Sequence, residues 1–240
     1  MRILAIDSSG LVASVALIDD GECIGEYTIN YKKTHSQTLV PMLDQVRKMI
    51  DLDLTTIDAI AVAAGPGSFT GLRIGSATAK GLGQALNKPL ISIPTVDGLA
   101  YNLYGTDKLI CPLMDARRNQ TYTGLYEFKR EEEGWSLEIV KAQCAVALEE
   151  IIESINKRNR EVIFLGDGVP VFKKQLEEQL QVPFSFAPAS CNRQRAAAVG
   201  TLALSYMKKG KIQTAAEHEP EYLRLSQAER ERNEGKKHGN

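Results

Sequence analysis

Three aspartates stand where apolar, strand-like runs give way to polar turns: Asp7 in "AIDSS", Asp115 in "LMDARR" and Asp167 in "LGDG". Carboxylates in such places can hold Mg²⁺ or accept a proton during phosphoryl transfer. They can equally cap their own turns through the backbone, which is the simpler reading of each. With Ser8, Ser9 and Gly168 beside them, these turns form a candidate cleft for a nucleotide, in degenerate form. "ARRN", with Arg117 and Arg118, is the most basic short turn nearby. It suits an anion such as a nucleotide or RNA, or it is simply solvated.

A second candidate is "VAAGPGSFTGLRIGSATAKG", residues 62–81. An apolar strand runs into Gly-Pro-Gly and then into a helix whose small residues Gly71, Gly75, Ala79 and Gly83 fall four apart. Glycine inside a helix costs about 1 kcal/mol relative to alanine, so these positions need a reason. A phosphate cradle is one, because a helix N-terminus attracts anions and Ser68 or Thr70 can cap it. Yet no lysine follows Gly71, so GxxxxGK[ST] fails, and there is no GxGxxG. Close packing is the other reason, since a face without side-chain bulk lets another backbone approach. That backbone belongs either to this chain's own sheet or to a partner helix.

Other chemistries have little to draw on. The three histidines, His35, His218 and His238, are scattered, and no HExxH is present. Ser8, Ser9 and Ser68 have no histidine close in sequence to activate them. Cys23, Cys111, Cys144 and Cys191 form no CxxC pair and read as buried free thiols. No cofactor or metal bound by this chain is therefore expected. A net charge of -1 argues against a direct grip on RNA. The N-terminus lacks a signal-peptide layout and no apolar run approaches membrane length, so the expectation is a cytoplasmic, non-membrane protein.

The elements that must position these residues come in two similar sets. "ILAIDSS" is a strand, and "ASVALIDDGECIGEYTI" a hairpin turning at Asp20-Gly21. "HSQTLVPMLDQVRKMI" is a helix with Leu39, Leu43, Val46 and Ile50 on one face, and Pro41 suits only its first turn. "IDAIAVAAG" is a buried strand, followed by the glycine helix, the strand "PLISIPT" and the short helix "VDGLAYNLY". The order then repeats: "LICPLMDARRN", a long hairpin over 120–146, "LEEIIESINK", "EVIFLGDG", "VPVFKKQLEEQL", "FSFA" and "QRAAAVGTLALSYMKKG". This duplicated βββαβα pattern implies an α/β protein of the actin, hexokinase and Hsp70-like (ribonuclease-H-like) fold. Residues 1–107 make a first lobe, 108–225 a second, and the polar stretch 226–240 a disordered tail.

"ILAIDSS", "THSQTLVPML", "GPGSFTGLRIG", "PLISIPTVDGLA" and "MDARRNQTYTGLY" together resemble the TsaB (formerly YeaZ) family, over nearly the whole chain except the tail. "GPGSFTGLRIG" is the most specific of these. The resemblance implies a non-catalytic, activating subunit that docks the catalytic paralogue TsaD in making threonylcarbamoyladenosine (t6A) at position 37 of tRNAs reading ANN codons. It implies a TsaE-like ATPase as a further partner, and the exposed apolar face expected for docking makes a homodimer the expectation when the chain is alone. It also implies tRNA contact only through the complex, which uses ATP and a TsaD-bound metal. TsaD-like proteins carry two metal-binding histidines where this chain has Thr95 and Leu99, so the resemblance is to the paralogue without the metal. It further implies a helical bundle with TsaD built from the helix over 36–50 and the glycine helix. On that ground His35, Leu39, Leu43, Ser68, Phe69, Thr70, Gly71, Leu72, Gly75, Ala79 and Gly83 are the expected docking residues. The alternative function is an ATP-dependent small-molecule kinase or ATPase of the same fold.

Overall fold

A computed structural model describes residues 1–132 and 134–224; the expected tail, 226–240, lies outside them. Two five-stranded mixed sheets carry the fold. The first has the order β3-β2-β1-β4-β5, from β1 (Arg2–Asp7), β2 (Ala13–Asp19), β3 (Glu22–Ile29), β4 (Ala59–Gly65) and β5 (Leu90–Pro94). The second repeats it as β8-β7-β6-β9-β10, from β6 (Leu109–Asp115), β7 (Gln120–Glu131), β8 (Gly134–Ala147), β9 (Val162–Leu165) and β10 (Phe184–Phe186). In each, an antiparallel meander is joined to two parallel strands. This is the duplicated architecture of the actin and hexokinase-like fold.

Alternation along the strands decides which helix covers which face. Leu4 and Ile6 of β1 point to one side with Ile60 and Val62 of β4, under α1 (His35–Met49) and α2 (Phe69–Leu86). Ile3 and Ala5 point to the other, with Ala59, Ala61, Ile91 and Ile93. That second face is covered by α6 (Ala196–Lys208), through Ala196, Val199, Leu202 and Ala203. The second sheet has Leu109, Cys111 and Leu113 under α4 (Leu148–Arg158) and α5 (Val169–Gln179). Its opposite face, with Ile110, Met114 and Tyr126, is covered by α3 (Thr95–Tyr101).

A division near residue 107 thus separates the strands but not the helices. α3, which ends the first half, packs on the second sheet, and α6 packs on the first. The two meet between the sheets, where Asp97 of α3 accepts hydrogen bonds from Tyr126 (2.7 Å) and Tyr206 (3.4 Å).

Two local expectations need correction. Pro41 sits beyond the first turn of α1, on its exposed side, where loss of one backbone donor is met by solvent. Of the four cysteines only Cys111 is buried; Cys23 lies exposed on the outer strand β3, and Cys144 and Cys191 are half-buried. All four are free thiols.

Candidate functional site

The parallel strands end in turns that bond to one another. Asp7 is buried and accepts from the Ser9 amide (2.9 Å) and hydroxyl (2.7 Å). The Ser8 hydroxyl donates to the Gly71 carbonyl (2.8 Å), and the Ser68 amide donates to the Ser9 carbonyl (2.7 Å). Ser68 in turn caps α2, its Oγ accepting from the Gly71 amide (3.3 Å). Burial pushes the Asp7 carboxyl upward, partly offset by the two bonds from Ser9.

The glycines of α2 receive this turn. A Cβ on Gly71 would run into the Ser8 carbonyl oxygen, and one on Gly75 into the Ser8 hydroxyl. One on Gly83 would strike Leu90, and Ala79 is fully buried in the core beneath α2. The face Gly71, Gly75, Ala79 and Gly83 therefore packs on the chain's own strands, which corrects the expectation that it meets a partner. Leu39, Leu43 and Leu72 are buried in the same layer. Among the expected docking residues, Ser68 and Thr70 remain exposed, and His35 and Phe69 half-exposed. His35 Nε2 bonds to the Gly10 carbonyl (2.8 Å), which leaves its buried Nδ1 unpartnered.

Periodicity missed the opposite side of the same helices. On α2, Thr70, Arg73, Ala77 and Gly81 face outward, and a Cβ on Gly81 meets no heavy atom within 4 Å. On α1, Ser36, Gln37, Val40 and Pro41 are exposed, Val40 at 57%. The signal available was the second small-residue row, Ala77 and Gly81, offset by two from Ala79 and Gly83.

The second lobe repeats the strand-end turns. Asp115 accepts from the Arg117 amide (2.8 Å) and pairs with its guanidinium (3.3 Å). Arg117, Arg118 and Asn119 all have positive φ (66°, 55° and 57°), a tight left-handed run held by that aspartate. Asp167 has a buried Oδ1 with no hydrogen-bond partner, and burial raises its carboxyl's pKa; Arg193 acts in the opposite sense. Gly168 bonds back to the Leu113 carbonyl (2.9 Å).

The turns of the two lobes are bridged by another part of the chain. The loop before α6 runs between them: Asn192 accepts from the Gly166 amide (3.0 Å), Arg193 donates to the Gly166 carbonyl (2.8 Å), and the Gln194 amide lies against Gly10. Asp7 and Asp115 are satisfied within their own turns, as the capping reading expects. Among the described residues no three His, Cys, Asp or Glu side chains converge as metal ligands. Thr95 accepts from the Gly65 amide (3.1 Å), and Leu99 is buried in apolar surroundings. Neither residue offers the chemistry of a metal-bound imidazole. Among the described residues no helix is long and apolar enough to cross a membrane.

Comparison with known proteins gives this geometry a family. Residues 22–232 match the family model described as "TsaD: tRNA N6-adenosine threonylcarbamoyltransferase". The "tRNA threonylcarbamoyladenosine biosynthesis protein TsaB" of Bacillus subtilis is 35% identical over 232 residues, covering 95% of this chain and 96% of that protein. The protein of the same name from Escherichia coli is 32% identical over 172 residues, covering 70% and 72%. Among solved structures, YeaZ from Pseudomonas aeruginosa superposes with a TM-score of 0.74 at 25% identity, covering 92% of this chain and 99% of that one. The fold, the matched span and these identities establish that the chain belongs to the TsaB (YeaZ) family of tRNA threonylcarbamoyladenosine biosynthesis proteins.

Proposed function

We propose that this chain is the non-catalytic, activating subunit that docks a TsaD-like threonylcarbamoyltransferase for t6A37 formation in ANN-decoding tRNAs. The observation that carries this reading is the paired outward face of α1 and α2. Val40 and Pro41 lie exposed on one helix, and Thr70, Ala77 and Gly81 on the other. Both helices rest on the same face of the first sheet, and the small residues of α2 leave room for a partner helix to come close. The strand-end carboxylates support a non-catalytic role, being spent on their own turns at Asp7 and Asp115. A TsaE-like ATPase is the further partner, tRNA is met through the complex, and the exposed apolar part of this face accounts for a homodimer when the chain is alone. ATP and the metal belong to the complex rather than to this chain. The protein works in the cytoplasm.

The test is co-purification with the same host's TsaD-like protein, followed by a t6A assay on tRNA with and without this chain. The expected result is a stable complex and t6A that depends on it. Full t6A without this chain, or ATP turnover with Mg²⁺ by the purified chain alone, would overturn the reading and favour a kinase or ATPase.

A further inference from the structure

After α6 the chain does not leave the fold. Residues 212–224 run back across the first lobe and end against the second. Gln213 pairs with Leu90 at the edge of β5, the two exchanging backbone bonds of 2.8 and 3.0 Å. The Glu221 amide donates to the Ala64 carbonyl (2.7 Å), and its carbonyl fills the space beside Gly65. Tyr222 stacks flat on Phe69 at 4.5 Å, with the Arg73 guanidinium beside both rings. Arg224 donates to the Ala116 carbonyl (2.5 Å) on the strand-end turn of the second sheet.

This anchorage is unusual in kind. Most of the segment is exposed, including Thr214, Ala216, Glu217, Glu219, Glu221 and Tyr222. Its one fully buried side chain is a polar one, His218. The His218 Nδ1 lies 2.8 Å from both the Ser92 hydroxyl and the Gln213 amide, while its buried Nε2 has no partner. Lys80 from α2 bonds the His218 carbonyl (2.8 Å). So little apolar burial gives a segment low local stability, independent of the sheets beneath it.

We propose that residues 212–224 are a latch that leaves the first lobe as one unit while both sheets stay folded, with buried His218 as its bolt. Unlatching bares Phe69, one flank of α2 and the edge of β5. Acid drives it. Burial lowers the His218 pKa, Lys80 lowers it further, and neighbouring Glu219 opposes them; the other groups facing it, Ser92 and Gln213, do not titrate. The released imidazole, with its ordinary value near 6.5, therefore takes up a proton that the latched one refuses. Release gains as pH falls below about 6.5 and levels off below the latched value.

Hydrogen exchange on the full chain tests this, following the amides of Leu90, Gln213, His218 and Glu221. These should exchange together, faster than the amides of β1 and β4. Their opening should rise by up to about tenfold per pH unit below about 6.5, the limit for one proton. In His218→Leu that pH response should vanish, because the titrating imidazole is gone, while Ser92 and Gln213 still bond each other. Tyr222→Ala offers a milder check: all four amides should open more, with the pH response unchanged. The proposal falls if these amides exchange only with β1 and β4, if the wild type shows no pH response, or if His218→Leu keeps it. It falls equally if Tyr222→Ala loosens Glu221 alone.

Discussion

The Ser8 hydroxyl reaches across 63 residues of sequence to the Gly71 carbonyl, and Ser8 lies in the space that Gly71 and Gly75 leave by lacking side chains. Those glycines are thus part of how the first strand's turn is seated. Substitution there should disturb the fold before it disturbs any partner.

Gly75→Leu places a branched side chain against the Ser8 hydroxyl and Val62. Overpacking costs about 1–3 kcal/mol, occasionally more, while the gain in helix propensity is about 1 kcal/mol. At roughly 2–4 °C per kcal/mol in a chain of this size, Tm should fall by several degrees. A thermal melt is the check, and an unchanged Tm would mean that the turn moves aside without cost.

Gly81→Leu is the counterpart on the outer side of the same helix. Nothing stands within 4 Å of its Cβ, so Tm should hold or rise slightly. If α2 docks a partner helix there, affinity for the TsaD-like subunit should fall roughly 5- to 150-fold, the equivalent of about 1–3 kcal/mol. Co-purification and t6A yield measure this beside the melt. Unimpaired assembly would remove α2 from the docking face.

Asp167 carries a penalty that pH should reveal. Its carboxyl is raised chiefly by burial, so the folded state holds its proton more tightly than the unfolded chain does. Stability from this group is present below the unfolded value near 3.9 and is lost as pH rises through the raised folded value. Asp167→Asn removes the charge and should raise Tm at pH 7 by roughly 2–4 °C, about 1 kcal/mol. It should also flatten the decline in stability that sets in as pH rises above about 4. A lower Tm at pH 7 would show that the ionised carboxylate is needed where it stands.

Chelation should leave the isolated chain unmoved. With Thr95 and Leu99 in place of two histidines, EDTA should not change Tm, and elemental analysis should find no stoichiometric transition metal. About one tightly held zinc or iron per chain would contradict this.

The strands and their order of appearance were legible because apolar runs such as "AIAVAAG" and "LICPLM" admit few other readings, and the turns at Asp7, Asp115 and Asp167 followed from them. The facing of α2 was not. Gly71, Gly75, Ala79 and Gly83 line one side, while Thr70, Ala77 and Gly81 line the other. Small residues on both sides leave no apolar stripe to say which is inward. Only the position of Ser8 decides it, and that is a long-range contact. The latch was illegible for a related reason. "QTAAEHEPEYLR", residues 213–224, has neither helical nor strand periodicity, and its order comes from single contacts to Leu90, Ala64 and Phe69 rather than from a pattern.

The crossing of α3 and α6 bears on how the chain is made. During synthesis the first sheet can form once β5 has emerged, but one of its faces then has no cover. Ile3, Ala5, Ala61, Ile91 and Ile93 wait for a helix whose residues begin at Ala196, about a hundred positions later. Until then that face is an open apolar surface on a nascent chain, at risk of wrong association. A fragment cut at the repeat boundary would carry the same uncovered face permanently. The two halves resemble each other as if they were separate domains, yet neither covers both faces of its own sheet, and the first sheet is closed only when α6 arrives.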